Sequence, residues 1–154
     1  MQRRRPLALL FILLSFPFYA LAGSNPPPSR LVPITLPGGT IIQAELADTP
    51  LKRAEGLMYR EHLADDGGML FTFSQAEAWV FWMKNTKIPL DLIWINEKKQ
   101  IIHMEQHVPI CTRTDDSCPQ YRPNEGALYV LELAAGRAEK LKLQRGSKLQ
   151  FQAP

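Results

Sequence analysis

The sequence predicts a mainly β domain, a small antiparallel β-sandwich or partly closed barrel of about seven or eight short strands with two short helices. Short apolar runs recur along the chain, separated by turns rich in Gly, Pro and Asn. No long helices alternate with these runs, so a parallel α/β sheet is not expected. Once a leader is set aside, the remaining chain has the length of one domain, with a core large enough to fold without a metal.

The leader is the first element. Arg3, Arg4 and Arg5 give a positive start, and an apolar run follows from Leu7 to Phe16. Pro17 interrupts it, and Ala20-Leu21-Ala22 places small residues where a signal peptidase reads. Residues 1–22 are therefore expected to be a cleavable signal peptide and the product to be periplasmic or secreted. A spanning helix needs about 20 apolar residues, more than this run supplies, so no stable membrane span is expected after cleavage. Residues 23–30, GSNPPPSR, have nothing to bury and read as a flexible lead-in. One domain is expected over 31–154.

Removing the leader changes the charge balance. The chain carries 18 Lys and Arg against 15 Asp and Glu; three of the arginines and none of the acids lie in residues 1–22, so 15 of each remain. Nucleic-acid binding needs a basic surface that displaces counterions. No such partner is expected.

In the domain, Leu31–Leu36 and Thr40–Leu46 flank Pro37-Gly38-Gly39 and predict a hairpin. Asp48 or Thr49 can cap a short helix with Pro50 in its first turn, ending near Met58. Gly67-Gly68 precedes the compact apolar run Met69–Phe73, and Trp79–Met83 is a second such run. Leu90–Ile95 and Gln100–Val108 are joined by the polar turn Asn96-Glu97-Lys98-Lys99. A long loop from Pro109 to Gly126 contains the only two cysteines, Cys111 and Cys118. In an exported chain the pair is expected to form a disulfide that staples the loop. Ala127–Leu133 is a further strand, Gly136–Leu143 a short helix, and Lys148–Gln152 a closing strand.

The segment from Trp79 to Asp91 has the most unusual chemistry. On a strand, Trp79, Phe81 and Met83 share one face while Val80, Trp82 and Lys84 share the other. Large apolar groups followed by a cation, an amide, a hydroxyl and an acid resemble a pocket wall with a few polar groups. A central core strand followed by a structural turn explains the same residues.

GLMYR at 56–60, GMLFTF at 68–73, FWMKNTKIPLDLIWI at 81–95, YVLEL at 129–133 with Ala135-Gly136, and the closing Gly146 resemble the DUF192 family, also called UPF0127. The likeness covers about 45–152. It implies a compact, mainly β fold and no particular activity, because the family's function is unassigned. Arg60, Trp82, Lys84, Asn85, Thr86, Pro89 and Asp91 match its most distinctive positions. Gly146-Ser147 stands where members often have Gly-Asp.

His103, Glu105 and His107 alternate along an expected strand and are the candidate metal ligands. Positions 103 and 107 lie about 13 Å apart on an extended chain, so another ligand would have to come from elsewhere. A solvated strand face explains the same alternation. Met58, Met69, Met83 and Met104 sit inside apolar runs, as core fillers rather than copper ligands. No phosphate loop, nucleophile elbow or His-Glu-x-x-His pattern is present. A carboxylate pair could still be assembled from Glu61, Asp91, Glu105 or Glu132 on separate strands.

The sequence thus points to an exported binding or accessory module. Its small-molecule or protein partner would dock near Arg60, Trp82, Lys84, Asn85, Thr86 and Asp91. No cofactor is expected, a divalent metal being the weaker alternative. A hydrolase-type or metal-dependent enzyme using Asp91 with His103, Glu105 or His107 is the second reading, and a purely structural or interaction domain the third.

Overall fold

The computed structural model describes residues 29–113 and 115–153. The expected signal peptide and most of the lead-in lie outside them. Strands β1 (Leu31–Thr35) and β2 (Ile41–Ala47) form the expected antiparallel hairpin. Val32, Ile34, Ile42, Ala44 and Leu46 alternate inward, the period of a pleated strand. Gly38 and Gly39 make the turn at φ +92° and +88°, where a side chain would be strained.

Helix α1 (Pro50–Glu55) starts at Thr49, whose side chain accepts from the Lys52 N–H at 3.3 Å. It leads into β3 (Gly67–Glu77), which runs parallel to β2. The sheet is therefore mixed, with this one parallel pair in a mainly antiparallel domain. A six-residue helix within the 48–66 connection is enough for the crossover that parallel strands need.

The expected strand Trp79–Met83 is much shorter. Only β4 (Phe81–Trp82) pairs, and its partner is β7 (Gln120–Tyr121) from the disulfide loop. Trp79 instead stacks on Phe73, with ring centroids 4.0 Å apart. Strands β5 (Leu90–Ile95), β6 (Ile101–Val108) and β8 (Ala127–Ala134) complete a six-stranded sheet of order β1-β2-β3-β8-β5-β6. Helix α2 (Arg137–Lys140) follows β8.

Mainly β structure with eight strands and two short helices is as the sequence predicts. The described residues form no closed barrel, although the C-terminal stretch stitches the two edge strands together. Gln150 bridges to Thr35 at the end of β1, and Lys148 bridges to Gln100 before β6. The expected closing strand is thus a pair of isolated bridges.

Each face of the sheet has its own core. One, under α2 and the C-terminal stretch, contains Ile34, Leu70, Ile93, Leu131 and Phe151. The other, covered by the α1 connection and the β4–β7 ribbon, contains Phe71, Met83, Leu92, Trp94 and Val130. No helix among the described residues is long and apolar enough to cross a membrane.

Candidate functional site

The second core is incompletely filled. A hollow of about 40 Å³ lies between the C-terminal turn of α1, the β4 region and the middle of β8. Phe71, Phe81 and Trp82 supply aromatic walls, Gly56, Leu57 and Met58 the α1 side, and Thr86 a hydroxyl. Arg53, Glu55 and Lys84 bring charge to the same lining. A water molecule occupies about 30 Å³ in the liquid, so the space suits one small functional group.

Glu132 gives this hollow its chemistry. It sits in β8 between Leu131 and Leu133 and pairs across to Met69 and Leu92. Residues alternate along β8, so Leu131 and Leu133 enter the first core while Val130 and Glu132 face the second. Glu132 is 5% exposed, and its Oε2 has no hydrogen-bond partner. Burial alone pushes its carboxyl up to about 8, because a low-dielectric surrounding disfavours the ionised form. Buried polar atoms nearly always have partners, and the residue that carries this orphan belongs to the lining of the hollow.

The motif residues contribute unequally. Trp82 and Thr86 line the hollow, and the Thr86 hydroxyl donates to the Lys84 carbonyl at 3.4 Å. Lys84 Nζ lies 5.2 Å from the Trp82 ring centroid and pairs with Asp116 from the disulfide loop. Asn85 is exposed and does not line the hollow; at φ +55° it binds Tyr59 instead. Arg60 pairs with Glu45 at 2.7 Å beside a separate groove. Burial would raise the Glu45 carboxyl, but hydrogen bonds from Arg60 and Ser29 and the Arg60 charge outweigh it and hold the pKa down.

Asp91 lies on the opposite face of the sheet. It is fully buried in β5 and accepts three backbone N–H groups, from His107 at 2.8 Å, Gly136 at 3.1 Å and Ala138 at 2.8 Å. These bonds tie β5 to the end of β6 and the start of α2. Asp91 does not meet Lys84 or Asn85.

His103 and Glu105 are brought together, Nε2 to Oε1 at 2.9 Å. His107 diverges from them, because a bulge in β6 lets Leu90 pair with Val108 while Leu92 pairs with Glu105. His107 takes φ +54° and faces Glu139 at 3.5 Å. Among the described residues no group of three or more His, Cys, Asp or Glu side chains is arranged to hold a metal ion.

Cys111 and Cys118 are bonded, with Cα atoms 5.9 Å apart. The loop they close supplies Asp116 to Lys84, and β7 to β4, just beyond it. The staple therefore supports one wall of the hollow.

Sequence reasoning singled out Trp82, Lys84 and Thr86. It missed Arg53, Glu55 and Gly56, and weighed Glu132 only as one carboxylate among several. The available signal was a lone acid inside the apolar run Tyr129–Leu133. Gly56 could not be placed from sequence, although a Cβ there would come within 3.3 Å of the Phe71 ring.

Comparison with known proteins agrees with this architecture. A crystal structure of a protein of unknown function from Novosphingobium aromaticivorans DSM 12444 is 30% identical with a TM-score of 0.69, covering 78% of this chain and 83% of that one. That of a candidate transcription regulator from Sinorhizobium meliloti 1021 is 32% identical with a TM-score of 0.67, covering 79% of this chain and 92% of that one. No curated protein matches the sequence. The DUF192 profile, described as an uncharacterized ACR, matches residues 33–151. The chain belongs to the DUF192 family.

Proposed function

We propose that the domain is an exported binding module that receives one small polar group of a ligand or partner in the hollow between α1, Trp82 and Glu132. The observation that carries this reading is Glu132, a residue of the hollow's lining whose buried Oε2 has no hydrogen-bond partner. Leaving such a group unsatisfied costs about 1–3 kcal/mol. A ligand that supplies its partner recovers that cost on binding, and the aromatic walls add contact area. Regulation of transcription, the role in the name of the S. meliloti protein, draws no support from charge, since residues 23–154 carry 15 basic and 15 acidic side chains.

The binding reading is tested by tryptophan fluorescence and by ¹³C signals of the Glu132 side chain during titration with small amines, amides and carboxylates. A saturable change in tryptophan fluorescence that is lost in Glu132→Leu, or a saturable shift of the Glu132 carboxyl signal in the unsubstituted protein, supports it. Saturable binding that moves neither signal would place the site elsewhere.

Export rests on the basic start, the apolar run and Ala20-Leu21-Ala22. Mass spectrometry of natively produced protein is expected to find Gly23 at the amino end. An intact Met1 would contradict export by this route.

A further inference from the structure

We propose that the C-terminal stretch and the β5–β6 turn form a lysine-rich surface, separate from the hollow, that docks on anionic lipid headgroups. Basic and acidic side chains balance at 15 each over residues 23–154, but they are unevenly distributed. Residues 137–152 hold five basic side chains, Arg137, Lys140, Lys142, Arg145 and Lys148, and one acid, Glu139, a net charge of +4. Residues 23–136 hold ten basic and fourteen acidic side chains, a net charge of −4.

Folding gathers these cations on one side. Ala138, Leu143, Leu149 and Phe151 enter the first core, while Lys140, Lys142, Arg145 and Lys148 between them are exposed. The stretch thus turns its apolar side to the sheet and its basic side to solvent. The β5–β6 turn is fastened alongside. The Leu149 N–H donates to the Lys99 carbonyl at 2.9 Å, and Gln100 bridges to Lys148. Exposed Lys98 therefore joins the same surface.

The arginines here are engaged and the lysines are not. Arg145 pairs with Glu125, Arg137 lies 3.7 Å from Asp65, and the one acid, Glu139, faces His107 at 3.5 Å. Lys98, Lys140, Lys142 and Lys148 have no acidic partner among the described residues. Lys142 gives an independent sign. It takes φ +53° just past α2, where glycine is the relaxed residue. An exposed, unpaired lysine held in left-handed backbone serves a contact outside the fold better than the fold itself.

The partner follows from the kind of cation. Nucleic-acid recognition relies on the arginine fork, and both arginines of the stretch are in ion pairs. Lysine ammonium groups act as compact point charges, each drawn to an anionic headgroup layer over about a Debye length. The choice of lipid over nucleic acid also rests on the export reading above, since an exported chain meets membrane headgroups. The acidic remainder of the molecule is repelled by the same layer, so docking is oriented.

The test uses natively processed protein, its amino end checked by mass spectrometry. Cosedimentation is measured with vesicles of phosphatidylcholine alone and of phosphatidylcholine mixed with phosphatidylglycerol. Binding to the mixed vesicles should be at least about ten-fold tighter and should weaken as salt is added. Lys140→Gln, Lys142→Gln and Lys148→Gln should each weaken it about five-fold, and Lys52→Gln on α1 should not. Lys142→Gly should raise the urea midpoint and still bind about five-fold more weakly, a combination that a purely structural lysine does not give. Equal binding to both vesicles, binding to neither, insensitivity to salt, or an equal loss in Lys52→Gln would overturn the proposal. Tighter binding to duplex DNA than to the mixed vesicles at equal phosphate would overturn the lipid assignment. The amino end decides the export reading and the vesicle comparison decides this one, so the two fail separately.

Discussion

Tyr59 and Asn85 clasp each other through both backbone and side chain. The Tyr59 N–H donates to the Asn85 carbonyl at 2.8 Å, and the Asn85 amide donates to the Tyr59 hydroxyl at 3.0 Å. Both residues have positive φ, +63° and +55°, and Asn tolerates that region better than most. The clasp fastens the turn after α1 to the segment after β4, two of the walls around Glu132. Asn85→Ala should cost about 1–2 kcal/mol in urea unfolding, combining the hydrogen bond with left-handed strain. Asn85→Gly, which relieves the strain, should lose less. Equal losses would show that the side-chain bond, rather than backbone geometry, dominates.

Asp91 should matter for folding. Its carboxylate satisfies three backbone donors from two distant parts of the chain. Asp91→Ala leaves them buried without a partner and is expected to cost about 3–5 kcal/mol. Thermal and chemical unfolding measure the loss. A loss below about 1 kcal/mol would mean that water reaches those donors.

The contrast between Asp91 and Glu132 shows what could be read in advance. Leu90–Ile95 was legible as a strand because an apolar run bounded by Pro89 and Asn96 has few other uses. That Asp91 faces one core and Glu132 the other was not legible. The answer depends on residues 107, 136 and 138, and on α1, none of them near in sequence. Trp79–Met83 misled for a related reason. Its aromatic density reflects packing of Trp79 on Phe73 and of Phe81 between Phe71 and Trp94, while only two residues join a ladder. The parallel β2–β3 pair was hidden because its crossover needs only a short helix. FWMKNT was recognisable as the neighbourhood of a site, but the carboxyl opposite it was one acid among several.

Stability should fall as pH rises through the neutral range, by way of Glu132. Its folded-state pKa, about 8, is above the ordinary 4.5, so between those values the folded protein holds a proton that the unfolded chain has released. Unfolding free energy then decreases with rising pH, by at most about 1.4 kcal/mol per unit from this group, and levels off above pH 8. Glu132→Gln should flatten that decline in urea melts at pH 5 to 8. An equal decline in the variant would assign it to other groups.

Reducing the Cys111–Cys118 bond should have a structural and a local effect. Loss of so short a loop closure costs about 2–3 kcal/mol, read as a lower urea midpoint for Cys118→Ser. Because the loop carries β7 and Asp116, Trp82 fluorescence should change at denaturant concentrations well below global unfolding. Coincident transitions would show that the β4–β7 ribbon holds without the staple.

The central claim is that an unpartnered, buried acid belongs to the lining of a hollow beside the FWMKNT segment. A ¹³C-detected pH titration of the Glu132 carboxyl in the ligand-free protein tests it most directly. The account predicts a protonated signal through pH 7 and a midpoint near 8. A midpoint near the ordinary 4.5 would mean that the carboxyl is solvated or already paired, and the site described here would not exist.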